Sequence, residues 1–279
     1  MKPIYIVTDS TADLSEEQIK QYGIHMIPLS IQIDEKTFTD RVDLQPDEFL
    51  TLMAEAKELP KSSQPPVGLF KQIYDELGQD GAQILSIHMT SGMSGTYQTA
   101  QAAANMSESN VTVIDSAFIS HALSFQVVEA AEMAQQGYNM EEIVKRVEEI
   151  KKATSLYVVV DKLDNLVKGG RIGKGKALIG SLLNIKPIAT LQEGVYTPGP
   201  QVRSHKQVVK HLFKAFTEQT AGKIIKKVGI AHANGLAMAE PLKKLLEEYG
   251  VVDIPLTITT PVISTHTGEG AIGFMFYAE

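Results

Sequence analysis

The chain of 279 residues contains no cysteine. Disulfides, thiolate zinc sites and cysteine nucleophiles are therefore excluded. No apolar run reaches the ~20 residues of a membrane-spanning helix, and the opening MKPIYIV is a strand length followed at once by polar residues, not a signal segment. The expected location is cytoplasmic. Positive charge is also scarce: 26 Lys and Arg face 33 Asp and Glu, a formal net charge of -7. That balance argues against a nucleic-acid partner, which needs clustered cations to neutralise phosphates. The one basic run, Lys223 to Lys227 (KIIKK), is short and reads as a solvated helix or strand end. None of the seven histidines forms an H-x-x-x-H or H-E-x-x-H pair, so no metal site is expected.

What is present is an ordinary globular composition, 43% hydrophobic and 21% charged, in a chain long enough for two domains. Short apolar runs at Ile4 to Val7, Ile84 to Ile87 and Val111 to Ile114 lack alternation, as in parallel strands covered on both faces. Helical patterns lie between them: from the capping box at Ser15 to about Gln21, Gln45 to Met53, Val67 to Leu77 and Tyr97 to Ala104. A further helix at Met140 to Ala153 carries Ile143, Val147 and Ile150 on one face.

Beyond it the pattern changes. Leu156 to Val160 reads as a strand and Asp164 to Lys168 as a helical turn; Lys186 to Leu191 and Gly194 to Tyr196 read as a hairpin joined at Gln192 and Glu193. Helices at Ser204 to Glu218 and Met238 to Tyr249 flank the strand Val228 to Ala231, and strands at Ile254 to Ile258 and Ala271 to Phe276 close the chain. The expectation is an α/β protein of two domains. Residues 1–155 form a mostly parallel sheet flanked by helices, and residues 156–279 form an α+β domain with a mixed or antiparallel sheet.

Each of the first three strands ends in small polar residues, and ligand crevices of open parallel sheets lie at the carboxyl ends of strands. The richest such end is His88 to Tyr97 (HMTSGMSGTY), which leads into a helix. Ser, Thr and Gly there cap a helix in any case. Two Ser-Gly pairs exceed that need, and Ser91, Ser94 and Thr96, with Gly92 and Gly95 admitting close approach, suit a phosphate or carboxylate. The loop holds no Lys or Arg, so its grip is mainly by neutral donors. Ser94 as a nucleophile is disfavoured, because Gly92-Met93-Ser94-Gly95-Thr96 breaks the G-x-S-x-G elbow at its last position.

A second constellation, Thr259 to Gly270, reads as a polar turn between two apolar runs, with His266 either exposed or set to bond an acidic ligand. In a third, Leu163 to Ile172, Lys168 and Arg171 read first as ordinary cap and surface charges.

Taken together these segments resemble the DegV family: Thr8 to Leu14 (TDSTADL), Ser62 to Pro65 (SSQP), Ser91 to Tyr97, Lys168 to Ile172 (KGGRI) and Thr265 to Gly268 (THTG). The resemblance spans nearly the whole chain. It implies a carrier with no activity of its own and no cofactor, which buries one long-chain fatty acid between its domains and presents the carboxyl group to a fatty acid kinase catalytic subunit. Transient membrane contact would serve lipid exchange. The implied carboxylate-binding residues are Ser62, Ser94 and His266, with Arg171 and Arg203 docking the kinase. Ser62 departs from the family's frequent Thr but keeps the hydroxyl. Apolar residues available to line a tail are Ile27, Leu29, Phe118, Leu123, Leu182, Ile188 and Phe274. Two readings compete with this one: an enzyme on a small phosphorylated or carboxylated metabolite with Ser94 and His266 catalytic, and a regulatory protein whose ligand is incidental.

Overall fold

The computed structural model describes residues 2–178 and 185–279. The first half contains β1 (Ile4–Asp9), α1 (Glu16–Tyr22), β2 (His25–Ile27), β3 (Ser30–Ile33), β4 (Lys36–Thr39), α2 (Pro46–Glu55), β5 (Lys61–Ser63), α3 (Val67–Leu77), β6 (Gln83–His88), α4 (Thr96–Met106), β7 (Asn110–Asp115), α5 (Ser120–Gln135) and α6 (Met140–Ala153). The second contains β8 (Thr154–Val159), α7 (Asp164–Lys168), β9 (Lys186–Gln192), β10 (Val195–Val202), α8 (His205–Thr220), β11 (Ile225–Ala233), α9 (Leu236–Glu248), β12 (Leu256–Ile258), α10 (Pro261–Thr267) and β13 (Ala271–Ala278).

The fold is α/β. Strands β2-β1-β6-β7 form a parallel sheet. Alternate residues of its central strands feed different cores: Val7 and Ile84 pack with Phe70, Tyr74, Ala100 and Ala103 of α3 and α4, while Ile6 and Leu85 belong to the larger core shared with α5. This two-sided burial is why the strands are apolar without alternation. A second sheet, β10-β9-β8-β13-β11-β12, is mixed, antiparallel except for the β11–β12 pair. Helices α8 and α9 cover one face of it, with Phe216, Leu212 and Leu242 against Phe274 and Phe276.

Helix α5 lies between the two sheets, touching β1 and β6 on one side and β8, β11 and β13 on the other. Eleven of its residues are buried. It has no polar stripe, so helical periodicity gives no sign of it. A third, small antiparallel sheet, β4-β3-β5, is likewise invisible in the sequence pattern because its strands are three or four residues long.

Two expectations need correction. The hairpin between β9 and β10 turns at Glu193 and Gly194, not Gln192 and Glu193; both turn residues have positive φ (52° and 74°), as a two-residue type I′ turn requires. The segment Thr259 to Gly270 is not merely a polar turn. It contains α10, with Pro261 at the first helical position and six of its seven residues buried. Hydroxyl and β-branched residues disfavour helix, but Thr265 and Thr267 donate to the carbonyls of Pro261 and Ile263, and burial does the rest.

Candidate functional site

The loop after β6 is built on a buried carboxylate. Asp9, at the end of β1, accepts from the Met89 N–H (2.8 Å), His88 Nδ1 (3.0 Å), and both the N–H and hydroxyl of Thr11. Burial works to raise its pKa, but the His88 bond and charge, together with the Thr11 and Met89 bonds, hold it below the ordinary carboxylate value. On the other side His88 Nε2 meets Ser86 Oγ (2.7 Å), which meets the Tyr74 hydroxyl (2.8 Å). The hydroxyl–imidazole–carboxylate order mimics a catalytic triad, yet Ser86, His88 and Asp9 are each fully buried, and none of them lines the cavity that Ser94 and His266 share. Their role is to fix the strand end that carries the loop.

The loop is held further by the Ser91 N–H on Asp115 and by the Thr90 N–H on the Phe118 carbonyl. The β9–β10 hairpin docks directly on it. Thr90 Oγ1 donates to the Gly194 carbonyl, and a Cβ on Gly92 would come within 2.6 Å of that oxygen, so only glycine permits the approach. At the loop's end the hydroxyls of Ser94 and Thr96 are 2.8 Å apart and Ser94 Oγ accepts from the Thr96 N–H (3.3 Å), at the mouth of α4.

Around Ser94 the fold gathers residues from distant segments. Strand β5, paired to β3, brings Ser62, and α10 brings His266; Ser62 Oγ and His266 Nε2 are 2.7 Å apart. The other imidazole nitrogen, Nδ1, is buried without a hydrogen-bond partner and packs over Gly169, where a Cβ would stand 2.4 Å away. Burial, and then the adjacent Arg171, push the His266 pKa down to about 4, so the imidazole is neutral at pH 7. Arg171 Nε donates to the Met93 carbonyl (3.0 Å) and one terminal nitrogen to the Gly169 carbonyl (2.6 Å).

These four residues share one cavity of about 300 Å³. Its polar end is Ser62, Ser94, Arg171 and His266; its apolar walls include Leu29, Met89, Ile119, Val158, Leu166 and Ile263, drawn from β8, from α7 and α10, and from the segments that follow β2 and β6 and precede α5. Ser62, Arg171 and His266 also line an open surface depression of about 730 Å³ with Lys57, Lys61 and Lys168. The cavity's polar end is thus the end nearest solvent. A larger, open cleft of about 780 Å³ between Asp13, Arg41, His121 and Lys227 contains none of the four.

Ser62, Ser94 and His266 are therefore brought together as the sequence reading expects. Ser91 and Gly95 face a groove outside the cavity, Thr96 is buried beneath it, and Gly92 serves the hairpin contact. Arg171 sits in the cavity wall, so to the expectation of mainly neutral donors the structure adds a guanidinium at the polar end. Arg203 is exposed ahead of α8 and does not line the cavity. Tyr196 was not a sequence candidate. It lines the cavity with its hydroxyl buried and unpartnered, and burial raises its pKa. Of the proposed apolar lining only Leu29 reaches this cavity; Phe118 and Leu123 are core, Ile27 packs under α3, and Ile188 and Phe274 face α8 and α9. Leu182 lies outside the described residues. Among the described residues no cluster of His, Asp and Glu is disposed to hold a metal, and no helix is long and apolar enough to cross a membrane.

An apolar chamber with hydroxyl, imidazole and guanidinium groups at its solvent end has the chemistry that suits an amphiphile with an anionic head. The chain belongs to the DegV family, whose model, described as an uncharacterised protein family, matches residues 3–279. A DegV domain-containing protein of Listeria monocytogenes is 44% identical over 281 residues, covering 100% of both chains. The structure is similar to that of DegV, a fatty acid binding protein from Bacillus subtilis (TM-score 0.92, 35% identity, 100% of both chains). It is also similar to a fatty-acid-binding DegV family protein from Thermus thermophilus (TM-score 0.94, 29% identity, 99% of this chain and 100% of that one).

Proposed function

We propose that the protein binds one long-chain fatty acid with its carboxylate among Ser62, Ser94, His266 and Arg171 and its tail in the apolar cavity, and presents the carboxyl group to a separate kinase for phosphorylation to an acyl phosphate. The observation that carries this reading is the composition of the cavity's two ends. A tail of about fourteen methylenes contributes on the order of 11 kcal/mol gross, at ~0.8 kcal/mol each, before ordering terms. Affinity comes from the tail. An unpartnered carboxylate would cost several kcal/mol on burial, which the hydroxyl and guanidinium donors offset.

Because the polar end opens on the Lys57, Lys61 and Lys168 depression, a partner can reach the carboxylate without the tail leaving the cavity. One carboxylate oxygen then attacks phosphorus of a donor held by the kinase, forming the O–P bond as the donor's P–O bond breaks. His266, neutral at pH 7, does not compete as a second cation for that oxygen. Arg171, half-buried in the cavity wall, orders this polar end, whereas the exposed Arg203 is a contact for the kinase.

Mass spectrometry of an organic extract of the purified protein, and uptake of added palmitate or oleate, test the binding step; no acyl chain and no uptake would end the reading. For presentation, Ser94→Ala and His266→Ala are expected to lower acyl phosphate formation tenfold or more while total bound lipid falls far less. Equal losses in both assays would refute it. Turnover of a small phosphorylated or carboxylated metabolite without any partner would favour the enzyme reading instead.

A further inference from the structure

We infer that Gly273 and Met275 set the length of acyl chain this protein accepts, by controlling a second chamber behind the one that holds the head. The inference rests on the fatty-acid reading above. The head cavity fixes the carboxylate end at Ser62, Ser94, Arg171 and His266, and its apolar side runs to Ile119, Val158 and Ile263. A tail that outgrows it enters what lies behind these residues. A second cavity of about 20 Å³ adjoins the first across the shared residues Ile119, Val158, Ile263 and Thr267, and Gly273 and Met275 of β13 are among the residues that line it.

Gly273 is out of place by ordinary rules. It pairs with Val158 on β8 and Ala231 on β11, in the interior of a six-stranded sheet, where glycine weakens a strand and marks a close approach by something else. Its neighbours Ile272 and Phe274 are buried, yet Gly273 itself keeps accessible surface. The protein's own atoms do not require glycine there. A Cβ would meet only Met275 Sδ at 3.2 Å and Cε at 3.6 Å, the end of a flexible side chain, and the Ala231 carbonyl at 4.0 Å. Gly229 in the neighbouring strand is the contrast: a Cβ there would stand 2.7 Å from the His121 ring, so packing alone explains it. The space over Gly273 is filled by no fixed backbone group, only by the movable Met275 thioether. Met275, unbranched and able to change rotamer, is the group that yields as the tail enters.

The test compares decanoic and hexadecanoic acid binding to the full-length, delipidated protein. Gly273→Val places a strand-favouring residue in a strand and leaves the head residues untouched. Each methylene denied its apolar contact weakens binding about fourfold. Loss of four or more methylenes should therefore lower hexadecanoate affinity at least a hundredfold, with decanoate affinity within threefold of wild type. Met275→Ala, which enlarges the chamber, should shift the preference toward longer chains and serves as the second variant if Gly273→Val does not fold. An unchanged ratio of the two affinities in the folded variants overturns the assignment while leaving the fatty-acid reading intact. Failure of the wild type to bind either acid overturns both.

Discussion

Asp40 lies under the site and its carboxyl is fully buried. Its Oδ2 accepts from Ser10 Oγ at 2.6 Å, Ser10 in turn accepts from the N–H of Leu29 in the cavity wall, and Oδ1 has no partner. Burial drives its pKa from 3.8 to about 7, against the Ser10 bond and the charge of Arg41. A folded pKa above the unfolded one means that the native state holds the proton longer, so stability falls as pH rises from 3.8 through 7. At ~1.4 kcal/mol per unit, the raised pKa lowers stability by about 4 kcal/mol at pH 8, about 2 at pH 5.5 and nothing near pH 3. Asp40→Asn keeps an oxygen for Ser10 and removes the titration, at a uniform cost of about 1 kcal/mol for an unpartnered amide. The variant is thus expected to be more stable than wild type by about 3 kcal/mol at pH 8, by about 1 at pH 5.5, and slightly less stable near pH 3. Urea unfolding of both proteins across that range measures the difference directly. A difference independent of pH would refute the reasoning, because it would mean that Asp40 does not titrate in this window.

Two further predictions concern the site itself. Carboxylate binding should raise the pKa of His266 from about 4, so that fatty acid binding at pH 5 to 6 draws a proton from solution; calorimetry in buffers of differing ionisation enthalpy reads this, and the same proton uptake on binding to His266→Gln would refute the assignment. Asp9→Asn, which breaks the anchor beneath the loop, should destabilise the protein by about 3 kcal/mol; a shift under about 1 kcal/mol in urea unfolding would show that the His88 and Met89 contacts do not hold the loop.

The alternation of strands and helices in the first half was readable because apolar runs and capping signals mark it. At α1 the capping box of Ser15 with Gln18 stands as the spacing implies, and the structure adds a second at α6, Asn139 with Glu142, beyond the sequence reading. Helix α5 escaped because burial on every side erases its period, and α10 because its hydroxyl-rich sequence mimics a turn. The tail lining was the least legible feature. In a central strand both faces are apolar, and nothing local says which residue parity faces which core. Phe274, the obvious apolar candidate, packs 5.9 Å from the Phe216 ring under α8, while Gly273, with no side chain at all, faces the cavity.

The polar end teaches a related point about charge. The Ser91 to Tyr97 loop has no cation, and judged by itself it suggests a site that holds an anion mainly with neutral groups. Arg171 enters from α7's C-terminal turn, far along the chain, and changes both the charge and the chemistry. Burial, with Arg171 nearby, keeps His266 neutral, so the two basic side chains together supply one positive charge at pH 7, not two. One fixed charge with two hydroxyls matches a monoanionic carboxylate. A phosphate dianion in the same place would leave charge uncompensated in a half-buried site. The acid is therefore expected to be held more firmly than its phosphorylated product in the same seat, which favours departure of the phosphoryl end toward the lysine-lined depression outside.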